Sequence, residues 1–309
     1  MSNRPRHFLD IADHSTAEIE ALLAHGKALK ARRVKGQLGD YLPLLGKKIA
    51  VVFQQPSLRT RMSFDVGINE LGAHVLMVSG DEIELGHRES IADTARVMSR
   101  YVDAIMIRML SHHELLELAH YAEVPVINGL TKKSHPCQVM ADVMTFEERK
   151  GSVRGRTIAW SGDSNNVLAS WVHMAAKLDV TLKVATPEQL SPPKPLIEWA
   201  AANKVDLRLT NDPNEAVDGA DCVITDSWVS MGDGDKEYRH NLLRPYQVDQ
   251  RLMARAKSDA IFMHCLPAKR GEEVAPEVID GPQSAVWDEA ENRLHAQKAV
   301  LVWALNAPK

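Results

Sequence analysis

Ile49-Ala50-Val51-Val52-Phe53 runs through Gln54-Gln55-Pro56 into Ser57-Leu58-Arg59-Thr60-Arg61, after which Phe64, Ile68 and Leu71 fall at i, i+4 and i+7. An unbroken apolar run that turns through polar residues into a helical period predicts a buried strand, a turn and the first turn of a helix. Two hydroxyls, two guanidinium groups and the free amides of the helix start then share one small volume, a setting for a phosphate or a carboxylate. One such turn alone is also an ordinary strand–helix connection with solvated arginines. The recurrence of anion-ready residues at other strand ends favours a site.

Working outward, apolar runs at about 48–53, 74–78, 103–108 and 124–128 alternate with amphipathic helical segments. That alternation predicts a parallel sheet covered on both faces, with ligands beyond the carboxyl ends of its strands. The residues at those ends are Ser57 to Arg61, then Arg108, then Asn128 to Thr131 leading into His135-Pro136-Cys137-Gln138. His135 and Gln138 are either capping groups of the next helix or a donor and an amide that read a carbonyl or amino group.

Upstream, Ser15-Thr16-Ala17-Glu18 is a capping-box pattern opening a helix that docks Ile19, Leu22 and Leu23. Downstream, Lys150 to Gly155 interrupts the pattern and marks a domain change. A second alternation follows, with strands at about 157–162, 181–186, 206–210, 222–226 and 260–264, and a further one at 285–287. The whole reads as two doubly wound parallel-sheet α/β domains with a cleft between them. The turn Gly162-Asp163-Ser164-Asn165-Asn166 lacks G-x-G-x-x-G, so no nicotinamide cofactor is inferred from it. Asp226-Ser227-Trp228-Val229-Ser230-Met231-Gly232 opens a polar, glycine-bearing stretch with the composition of a lid. Cys265, in His264-Cys265-Leu266-Pro267, stands at a strand end, where a cysteine is more often a small buried hydrophobe than a nucleophile. The last helix is expected to start at Asp288 and to carry Leu294, Leu301 and Leu305 on a stripe that Gln297 interrupts.

The 309 residues predict roughly two domains. A net charge of −4 argues against general affinity for nucleic acid or an anionic membrane, so the arginines act locally. No signal-like apolar segment or spanning run is present, and a cytoplasmic location is expected. Cys137, Cys222 and Cys265 have no CxxC spacing. His113-Glu114-Leu115-Leu116-Glu117 lacks the second histidine of a zinc-protease helix.

Taken together, these motifs resemble the aspartate/ornithine carbamoyltransferase family, on its ornithine-acting side, over nearly the whole chain. Ser57 to Arg61 is similar to the family's carbamoyl-phosphate loop, and Arg108 and His135-Pro136-Cys137-Gln138 to its further carbamoyl-phosphate contacts. The Asp226 to Gly232 motif, His264-Cys265-Leu266-Pro267 and Arg293 within Asp288 to Arg293 resemble the ornithine enzymes. The resemblance implies an amino-terminal carbamoyl-phosphate domain (1–150), an ornithine domain (151–288) and a carboxyl-terminal helix (289–309) returning to the first. It also implies a homotrimer with active sites at subunit boundaries and no metal or organic cofactor.

The implied reaction is carbamoyl transfer from carbamoyl phosphate to the δ-amine of L-ornithine, giving citrulline and phosphate. By the same resemblance Ser57, Leu58, Arg59, Thr60, Glu84, Arg108, His135, Gln138, Cys265, Leu266 and Arg293 would contact carbamoyl phosphate. Asn166, Asp226, Ser230 and Met231 would contact ornithine, and Arg59, Arg108, His135, Cys265 and Arg293 would carry the chemistry. Gln54-Gln55 stands where the family commonly has a Glu-Lys pair. Leu58 replaces a threonine, Ser164 a glycine, and Glu84 a glutamine that reaches into the neighbouring subunit's site. A carboxylate at Glu84 repels phosphate unless protonated or paired, for instance with Arg88. Two alternatives accompany this reading: a relative acting on another amine, or a catalytically weak binding or assembly protein.

Overall fold

The structure, a computed structural model, describes residues 5–83, 85–86, 88–229 and 234–306, without the side chains of residues 81 and 82. Glu84, Ser230 and Met231 lie outside the described residues. The chain divides into two compact units, one formed by the residues up to Met144 with those from Glu291 on, the other by Thr145–Ala290.

In the first unit the chain runs through α1 (Thr16–Val34), β1 (Lys48–Phe53), α2 (Leu58–Glu70), β2 (His74–Ser79), α3 (Gly80–Ile83), α4 (Ile91–Met98), β3 (Ala104–Arg108), α5 (His112–Tyr121) and β4 (Val126–Leu130), and enters α6 (Pro136–Lys150). The sheet order is β2-β1-β3-β4, with every pairing parallel. Ile49 to Val52 and all of β3 are buried, as expected of strands covered on both faces. Ser15 and Glu18 form the capping box of α1, which buries Ile19, Leu22, Leu23 and Leu29. Phe8 covers the outer edge of β4, its amide donating to Val126 O and its carbonyl accepting from Asn128 N, both at 2.9 Å.

In the second unit come β5 (Thr157–Ser161), α7 (Asn166–Leu178), β6 (Thr181–Ala185), α8 (Lys194–Ala202), β7 (Leu207–Thr210), α9 (Pro213–Val217), β8 (Cys222–Ile224), α10 (Lys236–Leu243), α11 (Gln250–Met253), β9 (Ile261–Met263) and α12 (Pro276–Ile279). Its sheet is parallel in the order β7-β6-β5-β8-β9. The strand expected at 285–287 does not form. Residues 283–285 make only a brief ladder with Phe262, which donates to Gln283 O and accepts from Ala285 N. The chain then turns at once into α13 (Val286–Ala304), two residues earlier than expected.

From Glu291 on, α13 belongs to the first unit, and it is buried far beyond its apolar stripe. Asn292, Arg293, His295, Gln297 and Lys298 are each at most 2% exposed. Gly67 of α2 permits this approach, because a Cβ there would stand 3.1 Å from Lys298 Cγ and 3.2 Å from Leu294 Cδ1. Lys298 Nζ donates to Glu70 at 2.6 Å, Arg33 also pairs with Glu70, and Lys30 Nζ donates to Asn292 Oδ1 at 2.9 Å. His295 is fully buried, and its pKa is lowered to about 3, first by burial and then by the charges of Lys298, Lys30 and Arg33. Its Nε2 lies 3.9 Å from Glu291, beyond hydrogen-bond reach.

The unfolded chain takes up this proton below about pH 6.5 and the folded chain does not, so this contribution is fully present above that pH. It is lost as pH falls from about 6.5 toward 3. Between pH 7 and pH 5 the protein is expected to lose roughly 2 kcal/mol more unfolding free energy than a His295→Gln variant. Urea unfolding at the two pH values measures the difference, and equal losses would mean that His295 titrates normally.

No helix among the described residues is long and apolar enough to cross a membrane.

Candidate active site

In the first unit the turn after β1 delivers Ser57 as the N-cap of α2. Its Oγ accepts from Thr60 N at 3.3 Å and donates to Thr60 Oγ1 at 3.1 Å. This fixes the first helical turn, where the Thr60 and Arg61 amides are used within the turn and those of Leu58 and Arg59 face the position of an anion at a helix start. Leu58 is 73% exposed and its side chain carries no donor, so what it offers such an anion is its backbone amide. Arg59 Nε is buried and has no hydrogen-bond partner among the described residues.

Arg108 ends β3, and the ladder slips there, with Ile107 opposite Asn128 but Arg108 opposite Leu130. Gly129 is the residue passed over. A Cβ on it would stand 2.5 Å from Met106 Sδ and 3.1 Å from Ile107 O, so the β3–β4 approach requires glycine.

His135 precedes α6 and is 3% exposed. Burial first, then the charges of Arg293, Arg108 and Arg59, hold its pKa well below the ordinary value. His135 is therefore a neutral imidazole at neutral pH, a hydrogen-bond donor in place of a proton donor. The same residues show that three guanidinium groups, from segments far apart in sequence, surround one buried point. Arg293 donates to Thr60 Oγ1 at 2.7 Å and to Gln138 Oε1 at 2.9 Å, which ties α13 to both α2 and α6. Cys137, in the first turn of α6, donates to Asn128 O at 3.6 Å, and burial pushes its thiol up to about 12 against the opposing charge of Arg293. It is a structural thiol.

In the second unit Asp226 is 9% exposed, and its carboxylate accepts three hydrogen bonds. Asn165 Nδ2 donates at 2.6 Å, Ser227 N at 2.7 Å and Cys265 Sγ at 3.1 Å. Asn165 also caps α7, its oxygen accepting from Val167 N and Leu168 N, while Asn166 is the first residue of that helix. Arg239 pairs with Asp163 at 2.5 Å and donates to Trp228 O at 2.9 Å, fastening the start of the expected lid to the turn after β5.

Cys265 and Leu266 are presented by a fully buried brace. His264 Nδ1 accepts from Leu266 N at 2.8 Å, so the ring proton is on Nε2, 3.3 Å from Glu273 Oε1. Burial raises the Glu273 pKa, but hydrogen bonds from His264 and the Lys269 amide bring it below the ordinary carboxylate value. Glu289 accepts from His264 N at 2.8 Å and anchors the same turn to the start of α13.

Residues 6–148 match the model described as aspartate/ornithine carbamoyltransferase, carbamoyl-P binding domain. Residues 154–304 match the model described as its Asp/Orn binding domain. The chain belongs to the aspartate/ornithine carbamoyltransferase family. Among its curated relatives, the ornithine carbamoyltransferase of Nitrobacter winogradskyi is 62% identical over 307 residues, 99% of each chain. That of Bradyrhizobium diazoefficiens is 57% identical over the full length of both. Among solved structures, the ornithine carbamoyltransferase of Pyrococcus furiosus superposes with a TM-score of 0.94 at 46% identity, covering 100% of both chains. The one from Burkholderia thailandensis gives 0.90 at 43% identity, covering 97% of this chain and 98% of that one.

For this carbamoyltransferase, the structure brings Arg59, Thr60, Arg108, His135, Gln138 and Arg293 together in the first unit, and Asp226 and Cys265 in the second. Arg293 lies inside the segment matched as the Asp/Orn binding domain, yet its hydrogen bonds place it in the first unit. Sequence reading took Asn165 only as a possible cap of the next helix, and it passed over Arg239, Glu273, Glu289 and Asp142, which accepts from Gln138 Nε2 at 2.8 Å. Only Asp142 carried a local signal, its i+4 spacing from Gln138 on one helix face. The others act through contacts between distant segments.

Proposed function

We infer that the protein catalyses carbamoyl transfer from carbamoyl phosphate to the δ-amine of L-ornithine, releasing citrulline and phosphate. The observation that carries this reading is the convergence of Arg59, Arg108 and Arg293 on the neutral, buried His135, with the Gln138 amide alongside. Such a set suits a substrate that is an anion at one end and a carbonyl at the other. The amine forms a bond to the carbonyl carbon, charge builds on the carbonyl oxygen, and the C–O bond to phosphate breaks with the electron pair leaving on phosphate. The amine's proton is lost to solvent or to the departing phosphate. No covalent enzyme intermediate is required, so the task is positioning and preorganised charge.

In this reading Arg59, Arg108, Ser57, Thr60 and the Leu58 amide hold the phosphate. His135 and Arg108 donate to the developing oxyanion, the Gln138 oxygen accepts from the carbamoyl NH2, and Arg293 completes the cluster. Asp226 pairs the α-ammonium of ornithine, and Asn166 with Ser230 and backbone near Met231 takes its carboxylate. Cys265 and Leu266 lie against the δ-amine and carbamoyl group. A homotrimer in which Glu84 reaches a neighbouring subunit's site, and a cytoplasmic location, belong to the same proposal.

The test is citrulline formation by the purified protein with carbamoyl phosphate and L-ornithine, run beside aspartate, N-acetylornithine and putrescine. Turnover is expected with ornithine alone. An Asp226→Ala variant is expected to raise the ornithine KM by about 10- to 100-fold, the worth of a charge-assisted hydrogen bond. Turnover with another amine would overturn the Asp226 assignment, and binding of carbamoyl phosphate with no turnover would favour a non-catalytic role.

A further inference from the structure

Asn165 uses both ends of its amide, and the two ends meet different segments. Its backbone is extended, as an N-cap requires, and its Oδ1 accepts from Val167 N at 2.9 Å and Leu168 N at 3.2 Å in the first turn of α7. Its Nδ2 donates to Asp226 Oδ2 at 2.6 Å, 61 positions away in the chain. Two backbone N–H groups can be met only by the amide oxygen, so the NH2 must face Asp226. The helix amides set this orientation, and it holds whichever protonation state the carboxylate has. The other carboxylate oxygen, Oδ1, accepts from Ser227 N at 2.7 Å and Cys265 Sγ at 3.1 Å. Among the described residues Asn165 is the donor that holds Oδ2.

We propose that Asn165 is a positioning residue for ornithine recognition, which sets the Asp226 carboxylate at a fixed place relative to the start of α7. The inference rests on the ornithine reading above, since it needs Asp226 to meet the α-ammonium and Asn166 the α-carboxylate. Asn166 is the first residue of α7, so the cap also fixes its backbone. The two charged groups of an α-amino acid sit on one carbon, and their two anchors must therefore keep one spacing. One planar amide bonded to both segments supplies that spacing, because neither segment can shift without breaking a hydrogen bond to Asn165. Serine at this position keeps an oxygen for the helix amides but has no NH2 for Asp226, while alanine loses both.

These two variants separate the cap from the tie to Asp226. The measurements are kcat, the KM values of ornithine and carbamoyl phosphate, and the inhibition constant of L-norvaline, which is ornithine without its δ-amine. They are made on the wild type, Asn165→Ser and Asn165→Ala, together with thermal unfolding. The serine variant is expected to raise the ornithine KM and the norvaline constant together by roughly five- to tenfold, the factor of one hydrogen bond. Norvaline follows ornithine because it keeps both groups on the α-carbon. Both kcat and the carbamoyl phosphate KM are expected to stay within about twofold, as for a loss confined to ornithine binding. The alanine variant is expected to show the same loss for both amino acids and to melt roughly 2–4 °C below the serine variant, the effect of a missing helix cap.

An ornithine KM and a norvaline constant that both stay within about twofold in the serine variant overturn the proposal and leave Asn165 a helix cap. A parallel rise of the carbamoyl phosphate KM also overturns it. So does a serine variant that melts as low as the alanine one, because the bond to Asp226 would then be a fastening of the fold. A rise for ornithine without one for norvaline places the effect at the δ-amine and overturns it as well. If the alanine variant does not fold, the serine variant still decides, and a serine variant that does not fold either overturns the proposal. A wild type that makes citrulline, with an unchanged serine variant, refutes the positioning role alone. A wild type that makes no citrulline refutes the ornithine reading beneath it.

Discussion

Replacing Arg293 by alanine is expected to lower kcat/KM for carbamoyl phosphate by roughly 10²- to 10³-fold, the loss found when a preorganised donor to developing charge is removed. Three consequences add in this variant. One of the guanidinium charges around His135 disappears, Thr60 Oγ1 loses its 2.7 Å donor, and Gln138 Oε1 loses its 2.9 Å donor. The turn that holds Thr60 and the Gln138 amide are thus loosened together, although they lie 78 residues apart in the chain (138 − 60). Steady-state kinetics with both substrates varied measures the effect, with circular dichroism to confirm that the variant folds. A loss below tenfold in a folded protein would reduce Arg293 to a fastener of the last helix.

The largest expected effect on stability is at Glu70, which no reading of the active site would single out. Glu70 accepts from Lys298 Nζ at 2.6 Å and pairs with Arg33, while the Lys298 side chain is 1% exposed. Burial already lowers the Lys298 pKa, against the raising effect of Glu70. In Glu70→Ala that opposing effect is gone and the ammonium is stranded, at a cost of roughly 3–5 kcal/mol in unfolding free energy. The unfolded chain then binds more protons than the folded one as pH approaches the ordinary lysine range, so the deficit is expected to shrink between pH 7 and pH 10. Thermal unfolding at both pH values checks the magnitude and the sign. A double change, Glu70→Leu with Lys298→Met, is expected to recover most of the loss by replacing the pair with apolar groups of similar volume. A single variant within about 1 kcal/mol of wild type would mean that Arg33 and Lys298 both reach water when Glu70 is removed.

The sequence by itself determined the two parallel sheets and which residues stand at the ends of their strands. Apolar runs of five or six residues alternating with helical periods leave few other folds, and in such sheets the residues after each strand must lie on one rim. Ser57, Arg59, Arg108, His135, Gln138, Asp226 and Cys265 were therefore legible from their positions at strand ends. The capping box at Ser15 and Glu18 was legible as well, because it is a contact within four residues.

Only the tertiary structure decided what those groups are and how they are held. Residues 285–287 have strand composition, yet after a brief ladder with Phe262 the chain turns into α13, which local propensity cannot foresee. In the sequence Gln297 reads as an interruption of the apolar stripe and His295 as a residue beside it, yet both are buried, as is Lys298. Burial on several sides of α13 requires that α2 present Gly67 and Glu70 to it. The neutrality of His135 requires charges from positions 59, 108 and 293 at one point, and the Gln138 amide meets Arg293 and Asp142 at its two ends. Periodicity records which face of an element is apolar, and chain order records where a strand ends. Protonation and hydrogen-bond direction are set by groups that meet only when distant segments pack.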